Sequence, residues 1–299
     1  MELPGNRSAL LIGMDPSIGK SRSDAEVRLE GLRVPLLDPD IGDYDEVDLL
    51  VNATPAETLA QLDRFCGKAR DDTTLLVLYR GAALTDGSGA FFLATPLTHP
   101  ERLDESALQL QAVIDRVSQS NAHGVAVLLD CWYSGPVVIE DNPPFQQTGP
   151  EPDVAVLFDL RHSLAQDLRP RGVSEVLREA LTGHTPVDTD SDGLIEIGDL
   201  YHELRPYHSP VEHRLEDRDQ VVLVRGSTTP LYLARAPQPR PPESLAQPAN
   251  QVSTATDTGG EEKRAAEPVT AEPVDDDVEW VSDAPAREDL LQREALADV

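Results

Sequence analysis

The sequence predicts a three-layer α/β domain: a mostly parallel sheet covered by helices on both faces. Three observations lead there. Short apolar runs of strand length recur along the first 235 residues, amphipathic segments of helical period lie between them, and 299 residues leave room for one sizeable domain with an appendage. Ser8–Gly13 (SALLIG), Val47–Val51 (VDLLV), Leu75–Tyr79 (LLVLY), Val125–Leu129 (VAVLL) and Val154–Leu157 (VAVL) are mostly apolar on both faces, as strands inside a covered sheet must be. Ala56–Phe65 places Leu59, Leu62 and Phe65 on one helical face. Ala107–Val117 does the same with Leu110, Val113, Ile114 and Val117, and Ser174–Leu181 with Val176, Leu177, Ala180 and Leu181. Strand–helix–strand alternation calls for right-handed crossovers and parallel strands. Thr85–Gly89 followed by Ala90–Ala94 reads as a hairpin turn and strand after the central strand. In such a sheet the functional loops follow the carboxyl ends of the strands.

Composition narrows the partners. Lys and Arg number 25 against 54 Asp and Glu, a formal charge of −29. Nucleic acid and anionic membranes need a cationic face, so neither is expected as a partner. Two cysteines, Cys66 and Cys131, are too few for a disulfide scaffold. No long apolar run marks a membrane span, and the start MELPGNR lacks the sections of a signal peptide. The expectation is a cytoplasmic, reduced protein. From residue 236 the composition changes to Pro, Ala, Thr and Glu with few large apolar groups. Such a stretch cannot offset its ordering entropy, so 236–277 reads as a disordered acidic linker. The part from 236 onward holds 15 acidic and 5 basic residues, so most of the negative charge belongs to residues 1–235.

Two strand ends carry unusual residues: LLVLY-Arg80-Gly81-Ala82 and VAVLL-Asp130-Cys131-Trp132-Tyr133-Ser134-Gly135. In order and spacing, the stretch from about Ser8 to Ala234 resembles the caspase-like cysteine peptidases, particularly their bacterial metacaspase-like branch. The resemblance includes the opening strand, the Asp86-Gly87 hairpin and a late Asp-rich loop. It implies a caspase-like fold and a catalytic pair. The family's His follows a Ser-Gly pair at one strand end, and its Cys lies in Asp-x-Cys-x-Ser-Gly at the end of the next. The chemistry needs a thiolate within reach of an imidazole base. Here Asp130 and Ser134-Gly135 fix a register in which Trp132 fills the nucleophile slot, and Gly81 puts Ala82 in the His slot. Neither side chain can attack a carbonyl or accept a proton. The resemblance thus implies a degenerate site, and a regulator or scaffold instead of a peptidase.

The competing expectation is a cysteine endopeptidase with a displaced site, Cys131 with His99, cleaving after basic residues. Adjacent strand residues point to opposite faces, which turns Cys131 away from the slot and favours a small buried hydrophobe there. His123 precedes the Val125–Leu129 strand and stands at least roughly 16 Å from Cys131 at about 3.3 Å per residue. His162, His184, His202, His208 and His213 fall in later loops or on helix surfaces. Asp130 matches a position that, in the metacaspase-like branch, contributes to an acidic pocket for a basic substrate residue. It reads equally as a strand-end acid held by backbone N–H groups. Arg80, at the neighbouring strand end, is expected to pair with it and fill that pocket from inside.

Asp188-Thr-Asp190-Ser-Asp192-Gly193 through Asp199 fits the D-x-D-x-D-G-x₅-E calcium loop with Asp for the final Glu. Asp188, Asp190, Asp192 and Asp199 either gather a structural Ca²⁺ or hydrogen-bond a turn, and Ile197–Leu204 can form the exiting helix. No other cofactor is expected. Within 278–299, Asp283 suits an N-cap, Pro285 a first turn, and Leu290, Leu291, Ala295 and Leu296 form one stripe. This stretch resembles the lead-in to a KAP-type P-loop NTPase domain, although no GxxxxGK[ST] follows it. It reads as a short docking helix or a truncated NTPase segment. The two resemblances together imply a protein partner, either an active caspase-like homologue or an NTPase or sensor module, in a bacterial defence or programmed-death system.

Overall fold

A computed structural model describes residues 3, 5–15, 24–133, 153–162, 171–204, 220–226 and 231–237. The chain divides into two units, Met1–Ser244 and Leu245–Val299, and every described residue belongs to the first. The expected linker, apart from Ala236 and Pro237, and the 278–299 segment lie outside the described residues.

The order of elements is β1 (Arg7–Gly13), α1 (Asp24–Leu37), β2 (Glu46–Val51), α2 (Pro55–Gly67), β3 (Thr74–Thr85), β4 (Phe91–Leu93), α3 (Leu103–Ser106), β5 (Leu108–Gln109), α4 (Leu110–Ser118), β6 (Gly124–Tyr133), β7 (Asp153–His162), α5 (Val173–Leu181), β8 (Leu194–Glu196), α6 (Ile197–Leu204), β9 (Gln220–Gly226) and β10 (Tyr232–Arg235). The main sheet runs β2-β1-β3-β6-β7-β9. Its first five strands are parallel and β9 is antiparallel to β7. The distal half of β3 turns back antiparallel into β4, which in turn pairs with β5. β8 and β10 form a separate antiparallel pair. Among the described residues no helix is long and apolar enough to cross a membrane.

Strand alternation builds two cores. Leu10, Ile12, Leu75, Val77, Val125 and Val127 face Leu62 and Phe65 of α2 and Val113, Ile114 and Val117 of α4. Ala9, Leu11, Leu76, Leu78, Ala126 and Leu128 face Leu29, Leu32 and Leu36 of α1, Val176, Leu177 and Leu181 of α5, and Leu200 and Leu204 of α6. Each layer thus buries a helical stripe of the expected spacing. α2 begins with a capping box: the Thr54 side chain accepts from the Glu57 N–H, and the Glu57 carboxylate accepts from the Thr54 N–H at 2.9 Å.

The apolar runs all became strands, but the strands outrun them. β3, β6 and β7 continue past their hydrophobic stretches to include Arg80, Asp130, Asp159 and Arg161. The helix expected from Ala107 starts at Leu110 instead, because Leu108 and Gln109 pair with Leu93 and Phe92. Helix α1 was not anticipated: Glu26, Arg28, Glu30 and Arg33 interleave its buried face, and Pro35 lies in its last turn. The hairpin stands as expected, with the Asp86 carboxylate accepting from the Ser88 and Ala90 N–H groups at 2.9 Å each.

Arg7 ties the small sheet to the large one. It is fully buried, donates to the Tyr232 and Leu233 carbonyls at 2.9 and 2.6 Å, and stacks 4.5 Å from the Tyr44 ring centroid. Arg7→Leu should therefore strand two carbonyls and cost about 2 kcal/mol in urea unfolding. An unchanged midpoint would mean that the carbonyls recover water.

Candidate functional site

The candidate site forms where β3, β6 and β7 end together. Backbone register sets Arg80 beside Asp130 and Asp130 beside Asp159 in one row. Two residues further on, Ala82 pairs with Trp132 and Trp132 with Arg161. Strand residues of like parity share a face, so these six positions belong to the face covered by α1 and α5. Ala82 and Trp132 are thus direct cross-strand partners, a methyl group beside an indole. Ala82 is exposed and Trp132 half-buried. Ser134 and Gly135, which fixed the motif's register in the sequence, lie outside the described residues.

Cys131 points the other way. It is fully buried in the core beneath α2 and α4, in the cluster that holds Tyr79 and Tyr133. Burial, reinforced by the charge of Asp159, holds its thiol well above the ordinary range. A thiol so placed stays protonated and has no thiolate to offer. His99 is exposed at the start of a 3₁₀ turn, where its backbone N–H donates to Ser106 Oγ at 2.8 Å. No hydrogen bond joins it to Cys131 among the described residues. His123 sits before β6, its N–H bonded to the Thr73 carbonyl at 2.8 Å. His184 bonds Thr182 on the surface and His202 lies against Tyr201. His208 and His213, and the side chain of His162, are outside the described residues.

Around Asp130 the structure assembles more than the sequence suggested. Arg80 approaches Asp130 Oδ2 at 3.4 Å, as expected of a filler. The closer partner is Arg161, whose Nη2 pairs with Asp130 Oδ1, while Ser174 Oγ donates to Oδ2. Arg161 Nε also lies 3.6 Å from Asp159, which accepts from the Val173 N–H at 2.7 Å. The Arg161 guanidinium stacks 4.2 Å from the Trp132 ring centroid. The Trp132 indole therefore serves as a platform for a cation. Burial pushes the Arg161 guanidinium down to about 9, with the charge of Arg80 next in effect, and burial also lowers Arg80. Arg80 is thus one of two fillers and the minor one. Gly172, at the N-cap of α5, completes the enclosure: a Cβ there would stand 2.6 Å from both Arg161 Nη1 and Asp130 Oδ1.

Arg161, Asp159 and Ser174 were absent from the sequence reading. Their signal was the i, i+2 pair of charges, Asp159 and Arg161, continuing the alternation of the VAVLF run. Two charges of opposite sign at one face of a strand end mark a buried pair when the neighbouring strand brings its own.

The Asp-rich loop gathers three of its four acids. Carboxylate oxygens of Asp188, Asp190 and Asp192 lie within 4.8 Å of one another. Asp199 does not join them. It is buried, with Oδ1 accepting from the Thr189 N–H and hydroxyl and Oδ2 from the Glu196 N–H. Asp188 is likewise engaged, accepting from the Asp192 and Gly193 N–H groups. The residue that closes a calcium loop from its twelfth position is committed to the turn itself, so these residues fit a calcium ion poorly.

No family model matches the chain, and no curated protein matches it. Among solved structures it is similar to pro-sf-caspase-1, at 12% identity and a TM-score of 0.46, covering 74% of this chain and 91% of that one. It is also similar to the Drosophila initiator caspase Dronc, at 11% identity and a TM-score of 0.43, covering 73% and 78%.

Two outcomes follow. Arg161→Leu leaves two buried carboxylates short of a partner and should lower stability by about 3–5 kcal/mol in denaturant unfolding; a loss under 1 kcal/mol would show that Arg80 alone suffices. In the acidic loop, burial and then the charges of Asp199, Asp190 and Asp192 raise Glu196 above 4.5. The native state then holds that proton more tightly than the unfolded chain, so stability falls as pH rises from 4.5 through the raised value. Glu196→Gln should remove that part of the decline and raise Tm at pH 7, measured in EDTA; an unaltered pH profile would contradict the crowding.

Proposed function

We propose that this chain is a catalytically inactive caspase-like domain that regulates or scaffolds another protein. The observation that carries the reading is the Ala82–Trp132 pair: two side chains without an ionisable group, matched across adjacent parallel strands where the family's base and nucleophile belong. The sequence motif supplies the correspondence, and the register brings both substituted slots to one place. Cys131 offers no rescue. Its thiol is buried on the opposite face, held protonated, and has no imidazole bonded to it among the described residues. The acidic spot that a basic substrate residue would use is already taken by Arg161, Arg80 and Ser174.

In this reading the domain works through association, in the cytoplasm. Its partner is an active caspase-like homologue or an NTPase or sensor module of a defence or programmed-death system. The loop Asp188–Asp199 serves as a hydrogen-bonded turn and needs no Ca²⁺.

Purified protein should hydrolyse no Arg- or Lys-containing peptide, and an electrophilic peptide should leave Cys131 unlabelled while the fold is intact. Hydrolysis that disappears in Cys131→Ser would overturn the reading and restore the displaced-site peptidase. Co-elution with a caspase-like or NTPase partner on size exclusion is the positive outcome.

A further inference from the structure

In a chain of net charge −29, four arginines converge on one cavity. It has a volume of about 320 Å³ and is lined by α1, α5 and the ends of β3, β6 and β7. Arg28, Arg80, Arg161 and Arg178 line it against only Asp130 and Glu175. Asp159 adds one carboxylate nearby, and guanidiniums still outnumber carboxylates.

The arginines are not all spent on those acids. Arg161, 3% exposed, is held by Asp130 and lies 3.6 Å from Asp159, but two others are less engaged. Burial is the main cause that lowers Arg161, and the charge of Arg80 and then, against Glu175, that of Arg28 act in the same sense. Arg28 is exposed on α1 and donates to no acceptor among the described residues. Among the described residues Arg178 reaches only Glu179, at 3.9 Å, and that carboxylate is already held by Arg171 at 2.6 Å. The same wall contains the start of α5, where Gly172 supplies no side-chain cap.

We propose that this cavity binds a tetrahedral oxyanion, the phosphate group of a small phosphomonoester or free phosphate. The donors come from four separate elements, Arg28 on α1, Arg80 on β3, Arg161 on β7 and Arg178 on α5. A planar carboxylate is satisfied by one guanidinium fork, whereas a tetrahedral anion offers acceptors to donors arriving from several sides. The start of α5 lies in the same wall, with its Val173 N–H already bonded to Asp159. Four guanidiniums stand against the three carboxylates Asp130, Glu175 and Asp159, a local excess of one positive charge that suits an anion. Such a site is a point of small-molecule control on a domain without chemistry of its own. It goes beyond the regulator reading and stands independently of it, since phosphate binding and peptide hydrolysis are measured separately.

The test is isothermal titration of the full chain with inorganic phosphate, at constant ionic strength in chloride buffer. One saturable site is expected. Arg28→Ala combined with Arg178→Ala should weaken it tenfold or more, with circular dichroism and Tm unchanged, since both side chains are exposed or half-buried. Glycerol phosphate separates the sources: binding as tight as phosphate assigns a monoester, and exclusion assigns the free ion. Absence of saturable heat would overturn the proposal, as would an unaffected double variant. Equal binding of succinate or of a Glu-rich peptide would overturn it too, by showing a carboxylate site.

Discussion

The ends of β3, β6 and β7 are organised by one requirement: Asp130 and Asp159 are completely buried and must be neutralised. Removing a carboxylate from water costs several kcal/mol after relaxation, so partners have to be close and oriented. Arg161 and Arg80 supply charge, and the start of α5 supplies the rest through Val173 N–H and Ser174 Oγ. This fixes where α5 begins and how it docks. It also fixes Gly172, because any side chain there would enter the guanidinium and carboxylate. The sheet is longer than its apolar runs for the same reason. A charged residue can continue a strand into the core only where its counter-charge arrives in register on the next strand.

That arrangement also fixes where the Cys131 thiol lies. Trp132 is a half-buried indole with a guanidinium stacked on it, so its slot is structurally committed. Cys131, one residue away, inherits the opposite face from strand alternation and sinks into the α2–α4 core. Moving it to the active face would require a one-residue shift of β6, which would invert every side chain from Val125 to Tyr133 and expose the core. The position of the thiol is therefore set by the packing of the whole strand.

Much of the fold was legible because it depends on period. The apolar runs around Leu10, Leu49, Leu76, Val127 and Val156 mark the parallel strands, and the stripes ending at Phe65, Val117 and Leu181 mark three helices. What escaped depends on pairing between distant segments. α1 hides its stripe among four charges, and Leu108 and Gln109 are extended only because β4 is there to receive them. The site shows the same division. Ala82, Trp132 and the turn of Cys131 follow from a motif and from alternation. Arg161 and Ser174 matter only through Asp130, 31 and 44 residues away in sequence, and no local pattern announces such a partner. Asp199 left two readings open, because its spacing is that of a calcium ligand and of a turn acid alike; backbone donors of its own loop reach it.

The net charge of the chain and the sign of its arginine-lined cavity are opposed, and screening reconciles them. At physiological salt, exposed charges more than ~8 Å apart scarcely act on one another. The acids spread over the surface therefore set solubility and encounter, while the cavity responds to the guanidiniums that touch it. An acidic surround slows the approach of an anion without weakening its contacts once seated. The consequence is selectivity by fit. A diffuse polyanion meets only the repulsive surface, whereas a compact anion small enough for about 320 Å³ reaches Arg161 and its neighbours. Buried Asp130 is also what orients the Arg161 and Arg80 guanidiniums. The pairing that neutralises the buried acids and the shaping of the arginine-lined cavity are, physically, the same packing event.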